Sequence, residues 1–146
     1  MLECRAVQHV TVERDFALPP ARVFAFLSEH ENLGPLFGSK VTRLRDGTDG
    51  TRNGVGSERR LKVGPLPPFV ETVVEVVPER LIRYRITKGS PLRDHEGVME
   101  FSPAGEGTHL RYVISFNAVV PGLDRLVAAN LRRSIARGLE RVDERA

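Results

Sequence analysis

The side chain best suited to chemistry is His95, which begins the strand-like segment HEGVMEFS at 95–102. Two-residue alternation places His95 in phase with Gly97, Met99 and Phe101, opposite two glutamates. A half-buried imidazole can donate, accept or take up a proton near neutral pH, as general acid–base catalysis needs. The alternative is a histidine at a strand end that faces solvent or binds a loop carbonyl.

Two tyrosines and one arginine are predicted on the same inner face. Tyr84 lies in LIRYRITK (81–88) and Tyr112 in THLRYVISFNA (108–118), each in phase with aliphatic neighbours. Their hydroxyls can point at a carbonyl, or they can be core aromatics with one satisfied polar tip. Arg59, in phase with Leu61, can stabilise an enolate or hold a carboxylate. A one-residue slip would put Arg60 there instead and leave Arg59 in solvent.

Paired-carboxylate catalysis is not expected from the segment FVETVVEVV (69–77). Alternation puts Glu71 and Glu75 on the outer face. The inner series is then Val70, Thr72, Val74 and Val76.

Metal, nucleotide and hydrolase chemistry are also not expected. The histidines at 9, 30, 95 and 109 lack metal-ligand spacing, and Cys4 is distant from all of them in sequence, so no metal and no cofactor are predicted. GVGSERR (54–60) lacks the third glycine of a dinucleotide loop and leads into a strand. Ser57 is not in a G-x-S-x-G elbow.

Strands, two short helices and one long helix must position these side chains. VTVERDF (10–16) is typical of a first strand, and Pro19 and Pro20 then open a helix, which a second helix of barely two turns follows. Neither helix is long enough to be stable alone, so each must pack on something. The remaining strands are predicted at 40–46, 56–63, 69–77, 81–88, 95–102 and 108–118, with short connections that favour an antiparallel meander.

The last segment, 123–142, is an amphipathic helix with an unusual apolar stripe. Large aliphatic residues repeat along it, but Asn130, Ser134 and Gly138 fall on the stripe or its edge. Such residues allow either close backbone approach, with hydrogen-bonded Asn and Ser, or room for water or a ligand. We favour room for a ligand.

Composition limits the remaining possibilities. The chain has 146 residues, a formal net charge of +3 and no Lys/Arg block with interleaved aromatics, so one domain without a nucleic-acid partner is expected. No apolar run approaches the ~18–20 residues of a membrane span. The start, MLECRAV, lacks signal-peptide features. A single cysteine fits a reducing cytoplasm.

Five segments in this order resemble the START-related, birch-pollen-allergen-like superfamily (SRPBCC), in its polyketide cyclase/dehydrase and lipid-transport branch. They are ALPPARVFAFLSEHENLGPLF, GVGSERRL, EVVPERLIRYRI, FSPAGEGTHLRY and the closing helix, and the resemblance covers roughly residues 7–142. It implies a helix-grip, in which a curved antiparallel sheet wraps a long C-terminal helix around a cavity and the short helices support that helix at one end. Where the family often has an aromatic residue, frequently tryptophan, this chain has Phe24 and Phe37.

The resemblance implies no shared catalytic residue set, because members bind lipids, sterols, quinones, polyketides or plant hormones, and only some are enzymes. We therefore predict an α+β helix-grip of six or seven strands that binds a small hydrophobic or aromatic molecule as a cytoplasmic carrier or sensor, monomeric or homodimeric. The alternatives are a cyclase or dehydrase using His95, Tyr84 and Arg59, or an interaction module with arginine-rich outer faces. The predicted lining residues are Phe26, Arg59, Leu61, Thr72, Val74, Tyr84, Ile86, His95, Met99, Tyr112, Ile114, Phe116, Val127, Asn130, Leu131 and Ser134.

Overall fold

The computed structural model describes residues 7–90, 92–118 and 122–146, which form seven strands and four helices. In chain order these are β1 (Gln8–Phe16), α1 (Pro20–Ser28), α2 (His30–Phe37), β2 (Lys40–Arg45), β3 (Glu58–Lys62), β4 (Phe69–Val77), β5 (Leu81–Lys88), β6 (Leu92–Ala104), β7 (Gly107–Ala118), α3 (Leu123–Leu139) and α4 (Val142–Arg145).

The strands form one antiparallel sheet in the order β1-β7-β6-β5-β4-β3-β2. Strands β2 to β7 pair with their sequence neighbours through hairpin-type connections, as the short loops predicted. β1 pairs instead with β7, so that Gln8 lies opposite Phe116 and Phe16 opposite Thr108. The sheet is curved, and the predicted helix-grip architecture is confirmed.

The two short helices begin and end at conformationally restricted residues. Pro20 occupies the first turn of α1, where a missing N–H costs no helical hydrogen bond. Gly38 ends α2 in the left-handed region, with φ 73°, and its N–H donates to the carbonyl of Gly34. These two helices therefore connect β1 to β2 and leave their apolar faces for packing.

Helix α3 packs over one half of the sheet and on α2. Within the described residues, its extensive contacts are with β1, α2 and β7, and not with β3, β4 or β5. Gly138 permits the contact with α2, because a Cβ there would lie 2.5 Å from the Phe37 ring and 2.7 Å from the Leu36 carbonyl oxygen. α2 thus supports the C-terminal end of α3, as the family resemblance implied. The predicted helix over 123–142 ends at Leu139, and Val142 begins α4.

The apolar core lies between α3, the short helices and the sheet, chiefly β1, β6 and β7, with Val73 of β4 and Ile82 of β5 at its side. Val10, Leu110 and Phe116 are 0 % exposed. Phe101 of β6 packs edge-on against Phe24 of α1, with ring centroids 5.4 Å apart. Phe24 therefore occupies a core position.

Two irregularities in β4 reverse part of the predicted strand face. The pairing of β4 with β5 shifts between Val70 and Glu71 and again between Val73 and Glu75. Glu71 and Val73 are buried, whereas Thr72 bonds Glu58 and Thr87 and lies on the outer face. The predictions that Glu71 faces outward and Thr72 faces inward were therefore wrong, because a bulge reverses the alternation of faces along a strand.

Within the described residues, no helix is both long enough and apolar enough to cross a bilayer.

Candidate functional site

A buried ion pair lies on the inner face of the sheet. Arg59 and Glu71 are directly opposite in the β3–β4 pairing, and opposite residues of an antiparallel pair share a face. Arg59 Nε donates to Glu71 Oε1 at 2.8 Å, and the two side chains are only 5 % and 9 % exposed. Burial is the largest influence on the pKa of Arg59 and lowers it, but the charge of Glu71, its hydrogen bond and the neighbouring tyrosines together outweigh burial, so the pKa is raised. The guanidinium is therefore charged and held against Glu71.

Tyr84 of β5 lies beneath the Arg59 guanidinium. The Cζ atom of Arg59 is 4.8 Å from the centroid of the Tyr84 ring, which is cation–π geometry. The Tyr84 ring lies over Gly97 of β6. A Cβ at Gly97 would be 2.2 Å from this ring, so the ring can take this position only because residue 97 is a glycine. Gly97 thus makes room for the aromatic part of the cluster.

The hydroxyls of Tyr84 and Tyr112 form a hydrogen bond at the centre of the cluster. The two rings meet edge to face, with centroids 6.4 Å apart. Burial raises the pKa of both tyrosines, so both are neutral. Only one of the two hydroxyl protons is needed for this bond, and the other remains available to donate.

His95 stands next to Tyr84, with ring centroids 5.7 Å apart. It follows Asp94, which has a φ of 52° and lies where the pairing register between β6 and β7 changes. The N–H of Ile86 donates to His95 Nδ1 at 3.1 Å. Burial lowers the pKa of His95, so the ring is neutral at pH 7. Because Nδ1 accepts, the ring proton is on Nε2, where it can donate.

His30 and Ser57 form a second buried pair beside the cluster. Their Nε2 and Oγ atoms are 3.2 Å apart, and both residues are 0 % exposed. Burial, aided by the charges of Arg59 and Arg43, lowers the pKa of His30 to about 3. His30 Nδ1 has no hydrogen-bond partner among the described residues. This neutral pair has no carboxylate on the second nitrogen, which a serine-nucleophile triad needs.

The cluster has unused hydrogen-bond donors and no net charge. Within the described part of the chain, the two terminal amino groups of Arg59 make no hydrogen bond. Together with His95 Nε2–H and one tyrosine hydroxyl, they can donate to an oxygen of a bound molecule. The positive charge of Arg59 is cancelled by Glu71. The arrangement therefore suits a neutral acceptor such as a carbonyl better than a free anion.

Apolar side chains continue the inner face beyond this cluster. Leu61, Phe69 and Ile86 follow toward the ends of β3, β4 and β5, and all three are half-buried. Val127 and Leu131 of α3 are also half-buried. Both residues pack against the apolar core, and α3 makes its extensive sheet contacts with β1 and β7 rather than with the strands that carry Leu61, Phe69 and Ile86.

Several other residues predicted to line a cavity lie elsewhere, in the packed core, at a strand irregularity or at a surface groove. Met99, Ile114 and Phe116 are at most 3 % exposed and belong to the close-packed core. Val74 is the extra residue of the β4 irregularity. Phe26 lines an open groove of about 460 Å³ beside the C-terminal Arg145 and Ala146. Its predicted place inside the sheet is wrong, because α1 turns this side chain toward the chain terminus.

Asn130 and Ser134 are exposed, which contradicts their predicted place on the buried stripe. The buried face of α3 is set by Ile135, Gly138 and Leu139. Asn130 and Ser134 lie on the flank of that face. Gly138 is therefore explained by close backbone approach to α2. Asn130 and Ser134 are explained neither by close approach nor by room for a ligand, because both are exposed.

Sequence reasoning also missed Glu71, His30 and Ser57. Glu71 had a signal, because residues equidistant from the centre of the β3–β4 hairpin must share a face, and Arg59 was already placed inward. Ser57 also had a signal, because it lies in the predicted strand 56–63 in phase with Arg59. His30 had none, since it belongs to α2, where strand alternation does not apply. No group of three or more His, Cys, Asp or Glu that could hold a metal occurs in the described ranges.

A family model described as polyketide cyclase / dehydrase and lipid transport matches residues 7–146. The chain belongs to this family, within the START-like superfamily that its sequence resembles. No curated protein matches the sequence at a significant level.

Several solved structures share the fold. A START superfamily protein from Mycobacterium smegmatis is 19 % identical with a TM-score of 0.78, covering 94 % of this chain and 99 % of that one. The protein TTHA0849 from Thermus thermophilus is 23 % identical with a TM-score of 0.76, covering 94 % and 96 %. Ara h 8.0201 is 13 % identical with a TM-score of 0.66, covering 92 % and 96 %. At these identities the likeness is one of fold alone.

Proposed function

We propose that this protein binds a small, mainly apolar molecule with a carbonyl-type oxygen, such as a lipid-, quinone- or polyketide-like compound. The molecule would lie between α3 and the inner face of β3, β4 and β5, and the protein would act as its carrier or sensor. The observation that carries the proposal is the unused donor set of Arg59, His95 and the Tyr84–Tyr112 pair, with half-buried Leu61 and Ile86 beside it.

The chemistry of this wall supports an uncharged acceptor. Buried polar groups usually find hydrogen-bond partners, so donors at an apolar surface favour a molecule that supplies an oxygen. Ligand pockets commonly combine an apolar lining with a few such polar groups. Glu71 already neutralises Arg59, so a fatty acid carboxylate would bring an uncompensated charge to the site. A ketone or quinone would not.

Native mass spectrometry of the protein purified from its own organism tests the proposal directly. We expect a retained molecule whose mass and fragmentation identify an apolar compound with at least one carbonyl or related oxygen. A strictly aliphatic ligand, or no ligand together with no binding of quinones and aromatic ketones in vitro, would contradict it.

Paired variants test the site. Arg59→Met with Glu71→Leu removes both charges together, which avoids a lone buried charge. We expect this double variant to fold and to bind a ubiquinone analogue at least tenfold more weakly, because hydrogen bonds to a charged donor are lost. The matched control is Arg83→Met with Glu75→Leu, an outer-face pair 2.9 Å apart, which should bind as the wild type does.

A second candidate function is a cyclase or dehydrase. The neutral His95 ring, adjacent to Tyr84, favours it because the Nε2–H can donate a hydrogen bond to a carbonyl oxygen that gains negative charge during enolisation. The test is turnover of a poly-β-ketone mimic by the wild type, by His95→Ala and by His109→Ala, which changes an exposed histidine. Identical products with and without protein would leave only the binding function.

The proposal places the protein in the cytoplasm. Its single cysteine cannot form an internal disulfide, which fits a reducing compartment. Fractionation of the source cells with an antibody to the protein checks this placement.

A further inference from the structure

A basic groove lies on the outer face of the sheet, away from the polar cluster. Its volume is about 340 Å³, and it is lined by Lys40 and Thr42 of β2, Arg60 and Lys62 of β3, and Pro68. The three cationic side chains are exposed. We call these three cations and the groove they line the basic groove.

The register of β2 and β3 forces these positive charges together. Lys40 lies directly opposite Lys62, and Thr42 lies opposite Arg60. Like charges directly opposite one another are unfavourable in a sheet. Within the described parts of the chain, no carboxylate lies within ion-pair distance of Lys40, Arg60 or Lys62. The basic groove is therefore a place where an external negative charge would stabilise the protein.

An apolar loop adjoins the basic groove. The β3–β4 loop, 63–68, exposes Val63 by 39 % and Leu66 by 53 %. Lys62 donates a hydrogen bond from Nζ to the carbonyl of Leu66, so a cation and an exposed leucine are adjacent. Three prolines restrict the loop backbone, which lowers the entropy that binding would cost.

We propose that the basic groove and the β3–β4 loop bind the surface of an anionic lipid bilayer. A bilayer supplies negatively charged headgroups for the cations and hydrocarbon for Val63 and Leu66 within one surface. A soluble phosphate would match the cations alone and leave the loop exposed. An acidic protein surface is a weaker match, since polar acidic patches do not bury two aliphatic side chains.

The β3–β4 loop lies at one end of the inner face of the sheet. Leu61 and Phe69, which flank the loop, face the inner side of the sheet. A bilayer seated on the loop would therefore lie next to the end of the inner face where, under the proposed function, the ligand binds. The docking does not depend on which molecule the protein carries, so its test is separate from that of the proposed ligand.

Vesicle sedimentation tests the proposal with the full chain. We expect the wild type to sediment with vesicles of phosphatidylcholine and phosphatidylserine, and weakly or not at all with phosphatidylcholine alone. Raising the salt concentration should release it, because surface charges are screened. No binding to the anionic vesicles, or equal binding to both vesicle types, would overturn the proposal.

Matched charge variants locate the surface. The triple variant Lys40→Gln, Arg60→Gln, Lys62→Gln should bind anionic vesicles about a hundredfold more weakly, at about fivefold per charge. The control triple variant Arg80→Gln, Arg111→Gln, Arg133→Gln removes three exposed cations elsewhere. Both triple variants lower the formal net charge from +3 to 0, and only the first should lose binding.

A loop variant separates a bilayer from a soluble anion. Leu66→Ser with Val63→Ser should weaken vesicle binding about tenfold through lost apolar burial. If this variant binds as the wild type does, while soluble inositol hexaphosphate displaces the wild type from vesicles, the groove is a soluble-anion site and the bilayer proposal is wrong. Circular dichroism of each variant confirms that the fold is retained.

Discussion

The inner face of this sheet has two halves that are built differently. On the covered half, β1, β6 and β7 pack under the helices, and side chains such as Val10, Leu110 and Phe116 are fully buried. The other half, called the open half because α3 makes no extensive contact with it among the described residues, consists of β3, β4 and β5. It carries a buried ion pair and half-buried aliphatic residues such as Leu61 and Ile86 beside buried core residues. Both halves belong to one continuous sheet.

The difference indicates a division between stability and binding. Close packing of apolar groups stabilises a fold most effectively where no space is left. A buried ion pair contributes little net stability, because desolvation offsets the attraction between its charges. The burial of Arg59 and Glu71 therefore adds little to stability, and the proposed function gives them a binding role instead. Substitutions in the two halves should consequently differ in their effects on stability.

Truncation on the covered half should have the largest effect. Phe116→Ala removes a ring that is 0 % exposed and leaves a cavity. We expect the free energy of unfolding to fall by about 3–5 kcal/mol. Chemical denaturation measures this, and a loss below about 1 kcal/mol would show that the covered half is not close-packed.

Breaking the buried ion pair should cost about 3 kcal/mol, because Glu71→Leu leaves the Arg59 guanidinium buried without its counter-charge. Adding Arg59→Met should restore most of the loss, which a double-mutant cycle would measure. On the outer face, Glu75→Leu removes the exposed partner of Arg83 and should cost less than about 1 kcal/mol. Equal losses at Glu71 and Glu75 would remove the distinction between the two pairs.

Acidification should destabilise the protein through His30, by about 2–3 kcal/mol between about pH 6 and pH 4. The pKa of His30 is about 3 in the folded chain, against an ordinary value of 6.5. Between these values the unfolded chain binds a proton that the folded chain does not, so stability falls as pH falls. His30→Gln should flatten the dependence of unfolding free energy on pH in this window.

His109 provides the control for that measurement. Asp15, and then Glu13, raise the pKa of this exposed histidine. Its contribution is present at low pH and is lost as pH rises through the folded pKa, which is the opposite sign. His109→Gln should therefore leave the acid destabilisation in place. A variant at His30 with an unchanged slope would show that burial of this imidazole is not its cause.

Truncation at the edge of the open half should have the smallest effect on stability. Ile86→Ala removes methyl groups that are already half-exposed, and we expect a loss of about 1 kcal/mol. The same variant should reduce binding of an apolar ligand. A loss as large as that of Phe116→Ala would mean that the open half is filled by the protein itself.

The element order was predictable because each transition has a local chemical cause. Pro20 begins α1, and Pro78 and Gly105 lie in the turns after β4 and β6. The sequence also placed β4 and β5 at their observed limits. These signals are short-range, and short-range patterns are what a sequence shows most clearly.

The faces of β4 were not predictable from alternation. FVETVVEVV contains valine in both phases, so either face could be apolar, and the two irregularities change phase within nine residues. A glutamate on the inner face is reasonable only once Arg59 is seen opposite it. The inward orientation of Glu71 is thus indicated by its position opposite Arg59 in the hairpin rather than by the hydrophobic pattern of β4.

The site was predicted in part for a similar reason. Arg59, Tyr84, His95 and Tyr112 were placed inward by alternation within their own strands, and the structure brings them together. Asn130 and Ser134 depended on the rotation of α3, which is set by the fit of Gly138 against Phe37. That fit joins residues far apart in the sequence, and no local pattern reports it.

The pairing of β1 with β7 has a consequence for how the chain is made. Gln8 cannot pair with Phe116 until all the strands and helices between them have left the ribosome. Such distant pairings slow folding and leave an unpaired edge exposed during synthesis. The nascent N-terminal strand is therefore the segment that a chaperone would have most reason to protect.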